Sequence, residues 1–153
     1  MLENVIQNKN FAKLMQKSIE NLIVHFFEEE QNFGILCKIE EISFNPPLPE
    51  SIDGEFRPLT LFFLAGYTFE TARIEKEMLI FEAGFGSDNF GSVVSVSLLS
   101  IMQIIVDETP VLINLAPNQE VEEIVKKNEM DEAGVENSMA SFLSNPENSK
   151  FLK

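Results

Sequence analysis

A chain of 153 residues with 25 acidic and 11 basic side chains carries a formal net charge of −14. That charge repels phosphate backbones and anionic headgroups, which argues against nucleic acid and membrane surfaces as partners and favours a basic partner or simple solubility. The single cysteine excludes an internal disulfide, and 14 Phe against one Tyr and no Trp indicate rings that fill a core.

The length suits one domain with an appended segment. The opening MLENVIQNKNF has no basic stretch followed by an apolar one, and the apolar runs are too short for a bilayer. A cytoplasmic location is expected. Between Asn10 and Gln31, apolar residues from Phe11 to Phe27 recur at spacings of three and four. This predicts a helix with one apolar stripe, capped by Asn10. Phe33 to Phe44 reads as a strand. Its alternation changes phase near Glu40 and Glu41, which predicts a bulge. The segment NPPLPESIDGEFRP holds four of the seven prolines and reads as a rigid exposed connection.

Leu59 to Phe69 reads as an apolar strand with Gly66 inside it. Thr71 to Phe85 follows as a hairpin turning at Glu75-Lys76-Glu77. GFGSDNFG is a turn, and Val93 to Val96 resumes a strand. Leu98 to Val106 is apolar nearly all round and reads as a buried helix capped by Ser97. Val111 to Leu115 is a last strand. After Pro117 the composition turns acidic and poor in large apolar residues. That predicts two parts, a domain over 1–117 and a largely flexible tail over 118–153, with the apolar and basic tip Lys150, Phe151, Leu152 and Lys153 at its end.

Catalytic chemistry finds little support. His25 is the only histidine and sits on the first helix, without a second imidazole or a CxxC for zinc. No GxSxG elbow surrounds the serines. The glycines of GFGSDNFG lack the GxGxxG spacing and a nearby basic residue for phosphate. Cys37 lies in the apolar run FGILCKI and reads as a core residue. No enzyme, metal or other cofactor is expected. The stretch 79–117 instead presents backbone and small side chains along a sheet, which is how a peptide is gripped.

From Leu61 onward the chain resembles the stringent starvation protein B (SspB) family. The resemblance rests on Phe81-Glu82-Ala83-Gly84-Phe85-Gly86, Val94-Ser95-Val96, the apolar run Leu98 to Val106 and the segment Val111 to Pro117, in that order. It implies an α+β fold: an N-terminal helix, then a strongly twisted, mostly antiparallel sheet or small barrel, then a flexible acidic tail. It also implies an adaptor that binds SsrA-tagged or other degron peptides and tethers them to the ClpXP protease. In that reading Phe81, Ala83, Phe85 and Gly86 hold the peptide. Lys150, Phe151, Leu152 and Lys153 dock on the ClpX unfoldase, and two copies pair through the N-terminal helix. The alternative from a different class is an acidic, dimeric secretion chaperone of type III-like kind.

Overall fold

The first helices are built by the residues that precede them. In the computed structural model, which describes residues 1–118, α1 spans Leu2–Ile6 and α2 spans Lys9–Glu28. The cap of α2 is Asn8, two residues before the expected one. Its Oδ1 accepts from the backbone N–H of Asn10 at 2.8 Å and of Phe11 at 3.3 Å, relieving two of the donors that a helix start leaves unpaired. Ile19 and Ile23 are fully buried, and Met15, Leu22, Phe26 and Phe27 pack around them. The helix therefore commits most of its apolar stripe to its own core.

The chain divides between Met1–Pro117 and Asn118–Lys153. The expected flexible tail and its tip at Lys150, Phe151, Leu152 and Lys153 lie outside the described residues, Asn118 excepted.

Among the described residues the strands form two antiparallel sheets of four. One has the order β3-β1-β7-β8 and the other β2-β6-β5-β4. The strands are β1 Phe33–Lys38, β2 Ile42–Asn45, β3 Leu59–Leu64, β4 Arg73–Glu75, β5 Met78–Phe85, β6 Phe90–Ser97, β7 Ile101–Val106 and β8 Thr109–Ile113. Short helical pieces α3, Glu50–Asp53, and α4, Tyr67–Glu70, flank β3. The fold is thus α+β, with one long helix and two open sheets rather than a closed barrel.

Two corners couple the sheets. A 3₁₀ turn at Ile39–Glu41 carries the chain from β1 in the first sheet to β2 in the second, and another at Leu98–Ser100 carries it back from β6 to β7. Since β1 pairs with β7 and β2 with β6, the two bent segments run side by side through both sheets. Strands that bend and change sheet are a common way to join packed layers. The phase change near Glu40 is therefore a corner and not a bulge in one continuous strand.

The expected helix over Leu98 to Val106 is replaced by the second corner and β7. Leu98, Ile101 and Ile104 are fully buried or nearly so, and their spacing of three imitates a helical stripe. Its origin is different. The 3₁₀ turn sets the first interval. The second arises because the pairing with β1 steps from Ile101 to Gln103 and passes over Met102. The branched side chains of the run favour a strand.

Elsewhere the differences are smaller. The strand expected over Leu59 to Phe69 stops at Leu64. Gly66 follows with φ +60° and ψ −126°, a region that disfavours other residues, and α4 begins. The turn at Lys76 and Glu77 has positive φ at both residues, as does a second turn at Asp107 and Glu108. Two-residue turns of that hand match the twist of hairpin strands. The inner faces of both sheets meet in one core, where the rings of Phe62 and Phe81 lie 5.9 Å apart.

Candidate functional site

Strand β5 is paired on both sides for only part of its length. With β6 its register runs the full distance, from Met78↔Ser97 to Phe85↔Phe90. With β4 it runs only from Met78 to Ile80. Beyond Ile80 its second edge meets the end of α4. There the Thr71 hydroxyl accepts from the N–H of Glu82 at 2.9 Å. The hydrogen-bonding direction of a strand repeats every second residue, so the backbone of Gly84 faces the same edge as that of Glu82. Gly84 is exposed at this edge, and the side chain of Asn89 lies over it where a Cβ would stand.

A cleft of about 650 Å³ opens at this place, within the range of about 300–1,000 Å³ usual for ligand sites. Four stretches line it: Glu82, Ala83 and Gly84 from β5; Asn89, Gly91, Ser92 and Val93, at the turn and the start of β6; Asn45 and Pro46 at the end of β2; and Ala65, Tyr67 and Thr68 between β3 and α4. Local hydrogen bonds fix these stretches. Ser92 Oγ donates to the carbonyl of Pro46 at 2.9 Å, tying the end of β2 to β6. Thr68 Oγ1 accepts from the N–H of Ala65 at 3.0 Å and lies 2.7 Å from the carbonyl oxygen of Phe63. Small side chains and amides dominate the lining, and Glu82 is its one carboxylate.

Of the four residues expected to hold a peptide, Ala83 lines the cleft. Phe81 is 1% exposed and packs against Phe62 in the core. Phe85 is half-buried in a cluster with Phe44, Phe56 and Phe62. Gly86 takes φ +73° in the β5–β6 turn, and a Cβ there would stand 3.1 Å from Ile52 Cδ1. The phenylalanines thus build the layer that holds β5 in place, and the neighbouring small residues face the cleft. Tyr67, Thr68, Asn45 and Pro46 come from segments far apart in sequence, and no spacing pattern connects them. The signal that was available is Gly66: a glycine interrupting an apolar run marks the end of β3 and the start of the cleft's far wall.

Groups that might have signalled catalysis are placed otherwise. Cys37 is fully buried, and burial, with the nearby Glu41 adding to it, pushes its thiol far above the ordinary range, so it is unreactive as a nucleophile. His25 is exposed on α2 beside Phe26. Among the described residues no group of three His, Cys, Asp or Glu side chains is arranged to hold a metal ion. No helix among them is long and apolar enough to cross a membrane.

The chain matches no family model, no curated protein and no solved structure.

Proposed function

We propose that the protein is a non-enzymatic, cytoplasmic peptide-binding adaptor, and that an extended peptide lies in the cleft along β5. One observation carries this reading. The strand loses its β4 partner after Ile80, continues to Phe85, and presents the exposed Gly84 on that unpaired edge within the cleft. A peptide added as a strand gains main-chain hydrogen bonds from such an edge, and the pockets beside it select alternate side chains. Gly91 has open space beside it, Asn89 lies over Gly84 and offers its amide there, and Tyr67, exposed at the cleft, offers a ring to pack against.

The SspB-like reading of the sequence supplies the class of ligand, a degradation tag of SsrA type, and the partner, the ClpX unfoldase. Function would then be tethering. In that reading the cleft holds the tag while residues 150–153 hold the unfoldase, and joining the two in one chain raises the effective concentration of one at the other, for short linkers to about millimolar. Pairing through the N-terminal helix belongs to the same reading. Here α2 leaves Leu14 and Val24 as its exposed large apolar residues.

The test is fluorescence anisotropy of a labelled SsrA-tag peptide titrated with the full chain and with Ala83→Gln, a change at a buried residue that lines the cleft, with circular dichroism showing that the variant folds. Micromolar or tighter binding that is lost in the variant supports the reading. Removal of residues 149–153 should then leave peptide binding intact and abolish delivery to ClpXP. Absence of binding, or binding indifferent to Ala83→Gln, refutes the cleft as a tag site.

A further inference from the structure

The first sheet, β3-β1-β7-β8, buries one face and leaves the other open. Its register sets Phe63, Gly34 and Ile105 in one row across the outer face, and Leu61, Leu36, Gln103 and Ile113 in the next. Phe63 is 64% exposed and Ile113 55%. Gly34 has no side chain of its own, and a Cβ there would stand 3.1 Å from Leu61 Cδ1, so Leu61 and Phe63 already lean over it. A surface of this kind on a chain of net charge −14 calls for a partner, because contiguous exposed apolar patches mark interaction sites.

Charge is distributed over this face in a particular way. Lys38, the last residue of β1, is the one charged side chain in its rows, and the exposed Arg57 precedes β3 at the same end. At the opposite end, beyond Ile105 and Gly34, the β7–β8 turn carries the exposed Asp107 and Glu108. The face is apolar in the middle; Lys38 and Arg57 mark one end, beside the exposed Glu40 and Glu55 of the adjoining turns, and the other end is acidic.

We propose that this face pairs with the same face of a second copy, about a two-fold axis running across the strands. That axis reverses the strand direction in the partner. Lys38 of each copy then lies at the acidic end of the other, about 7 Å to the side of its β7–β8 turn at a strand spacing of about 4.8 Å. An axis along the strands would superimpose like charges. An isologous contact uses one patch twice, and a face that is apolar at its centre, with Lys38 at one end and the acidic turn at the other, is complementary to itself in this orientation. Four strands about 4.8 Å apart and six residues of about 3.3 Å rise give a footprint roughly 20 Å on a side. With the relief of the side chains, two such faces bury an area near the lower bound of about 1,200 Å² for a stable interface. The dimer should therefore dissociate in the micromolar range. The inference is independent of the cleft on β5, and it replaces the pairing through α2 that the SspB-like reading implies with pairing through the sheet.

Sedimentation equilibrium of the full chain across a dilution series tests it, with circular dichroism as the folding control. The wild type should pass from dimer to monomer at micromolar concentration. Phe63→Glu should be monomeric with an unchanged spectrum, and Ile113→Lys, on the other edge of the sheet, should act the same way. Leu14→Glu on α2 should leave the dimer intact. Lys38→Glu should weaken it about tenfold, and Glu108→Lys in the same chain should restore it. A wild-type monomer throughout, or a dimer abolished by Leu14→Glu and untouched by Phe63→Glu, overturns the proposal. A dimer indifferent to Lys38→Glu overturns the crosswise pairing.

Discussion

The two sheets share one core and differ on their other faces. In the second sheet the outer positions of β6 are Val93, Ser95 and Ser97, opposite Glu82, Ile80 and Met78 of β5. Polar residues recur there, as expected for an antiparallel sheet with one solvated side. In the first sheet the outer positions of β3 are Leu59, Leu61 and Phe63, all exposed. The same inner requirement has been met with two different outer surfaces. What faces the core follows from folding alone, whereas an outer face that is apolar without need reflects something the fold must meet.

The comparison is sharpened most by removing one ring from each inner face. Phe62 of β3 is 7% exposed and Phe81 of β5 is 1% exposed, with centroids 5.9 Å apart. Phe62→Ala and Phe81→Ala should each cost about 3–5 kcal/mol in urea unfolding. The double variant should cost less than the sum, because the rings touch and share one cavity. Full additivity would show that the sheets have separate cores.

The difference between the faces also explains how much was legible in the sequence. The strands of the second sheet could be read, because MLIFEAGF and FGSVVSVS alternate. The turn at Lys76 and Glu77 was visible from its charged residues between two apolar runs. The first sheet was harder. LTLFFL and IMQIIV are apolar on both faces, and such runs have no period that separates a strand from a buried helix. That is why Ile101 to Val106 reads as helix. The corners at Ile39–Glu41 and Leu98–Ser100 further broke the alternation at the places where the chain changes sheet. Of the residues lining the cleft, Ala83 is the one that the family resemblance also picks out. Tyr67, Thr68 and Pro46 were not legible, since only the tertiary fold brings them together.

Each sheet is latched at one end by a buried polar side chain, and the latches differ in strength. In the first, Asn114 donates from Nδ2 to the carbonyls of Leu99 at 3.2 Å and Ile101 at 3.0 Å, and its Oδ1 accepts from the N–H of Ala116 at 2.8 Å. In the second, Ser92 makes a single bond, to the Pro46 carbonyl. Asn114→Ala should cost about 2–3 kcal/mol, since it strands several buried backbone groups, and Ser92→Ala about 1 kcal/mol. Hydrogen exchange should show the loss first at the Leu98–Ser100 corner in the one case and at the end of β2 in the other. Equal losses would remove the distinction.

The first sheet also carries a titratable group on its inner face. Burial raises the Cys37 thiol, with Glu41 adding to the effect, so the folded state holds its proton where the unfolded chain releases it. Stability from this group is complete below the unfolded pKa of about 8.5. Above it, stability falls by up to about 1.4 kcal/mol per pH unit. Urea midpoints between neutral and alkaline pH should decline in the wild type. In Cys37→Ala the whole curve should be lower, but this component of the slope should be absent. An unchanged slope would mean that Cys37 ionises freely in the fold.

The smallest expected effect is the most direct test of the contrast between faces. Phe62 and Phe63 are neighbours in β3, one pointing into the core and the other out, at 7% and 64% exposure. A strand presents successive side chains to opposite sides, so identical substitutions at the two positions sample the two faces of one sheet. Phe62→Thr should cost several kcal/mol, as expected for the loss of a buried ring. Phe63→Thr should change the monomer's stability by no more than about 0.5 kcal/mol, because an exposed ring gives up little on removal. At dimeric concentrations the same Phe63→Thr chain should lose the extra stability that association confers, which grows with the logarithm of protein concentration. A Phe63→Thr loss that is large and independent of concentration would mean that the outer face is already covered within a single chain.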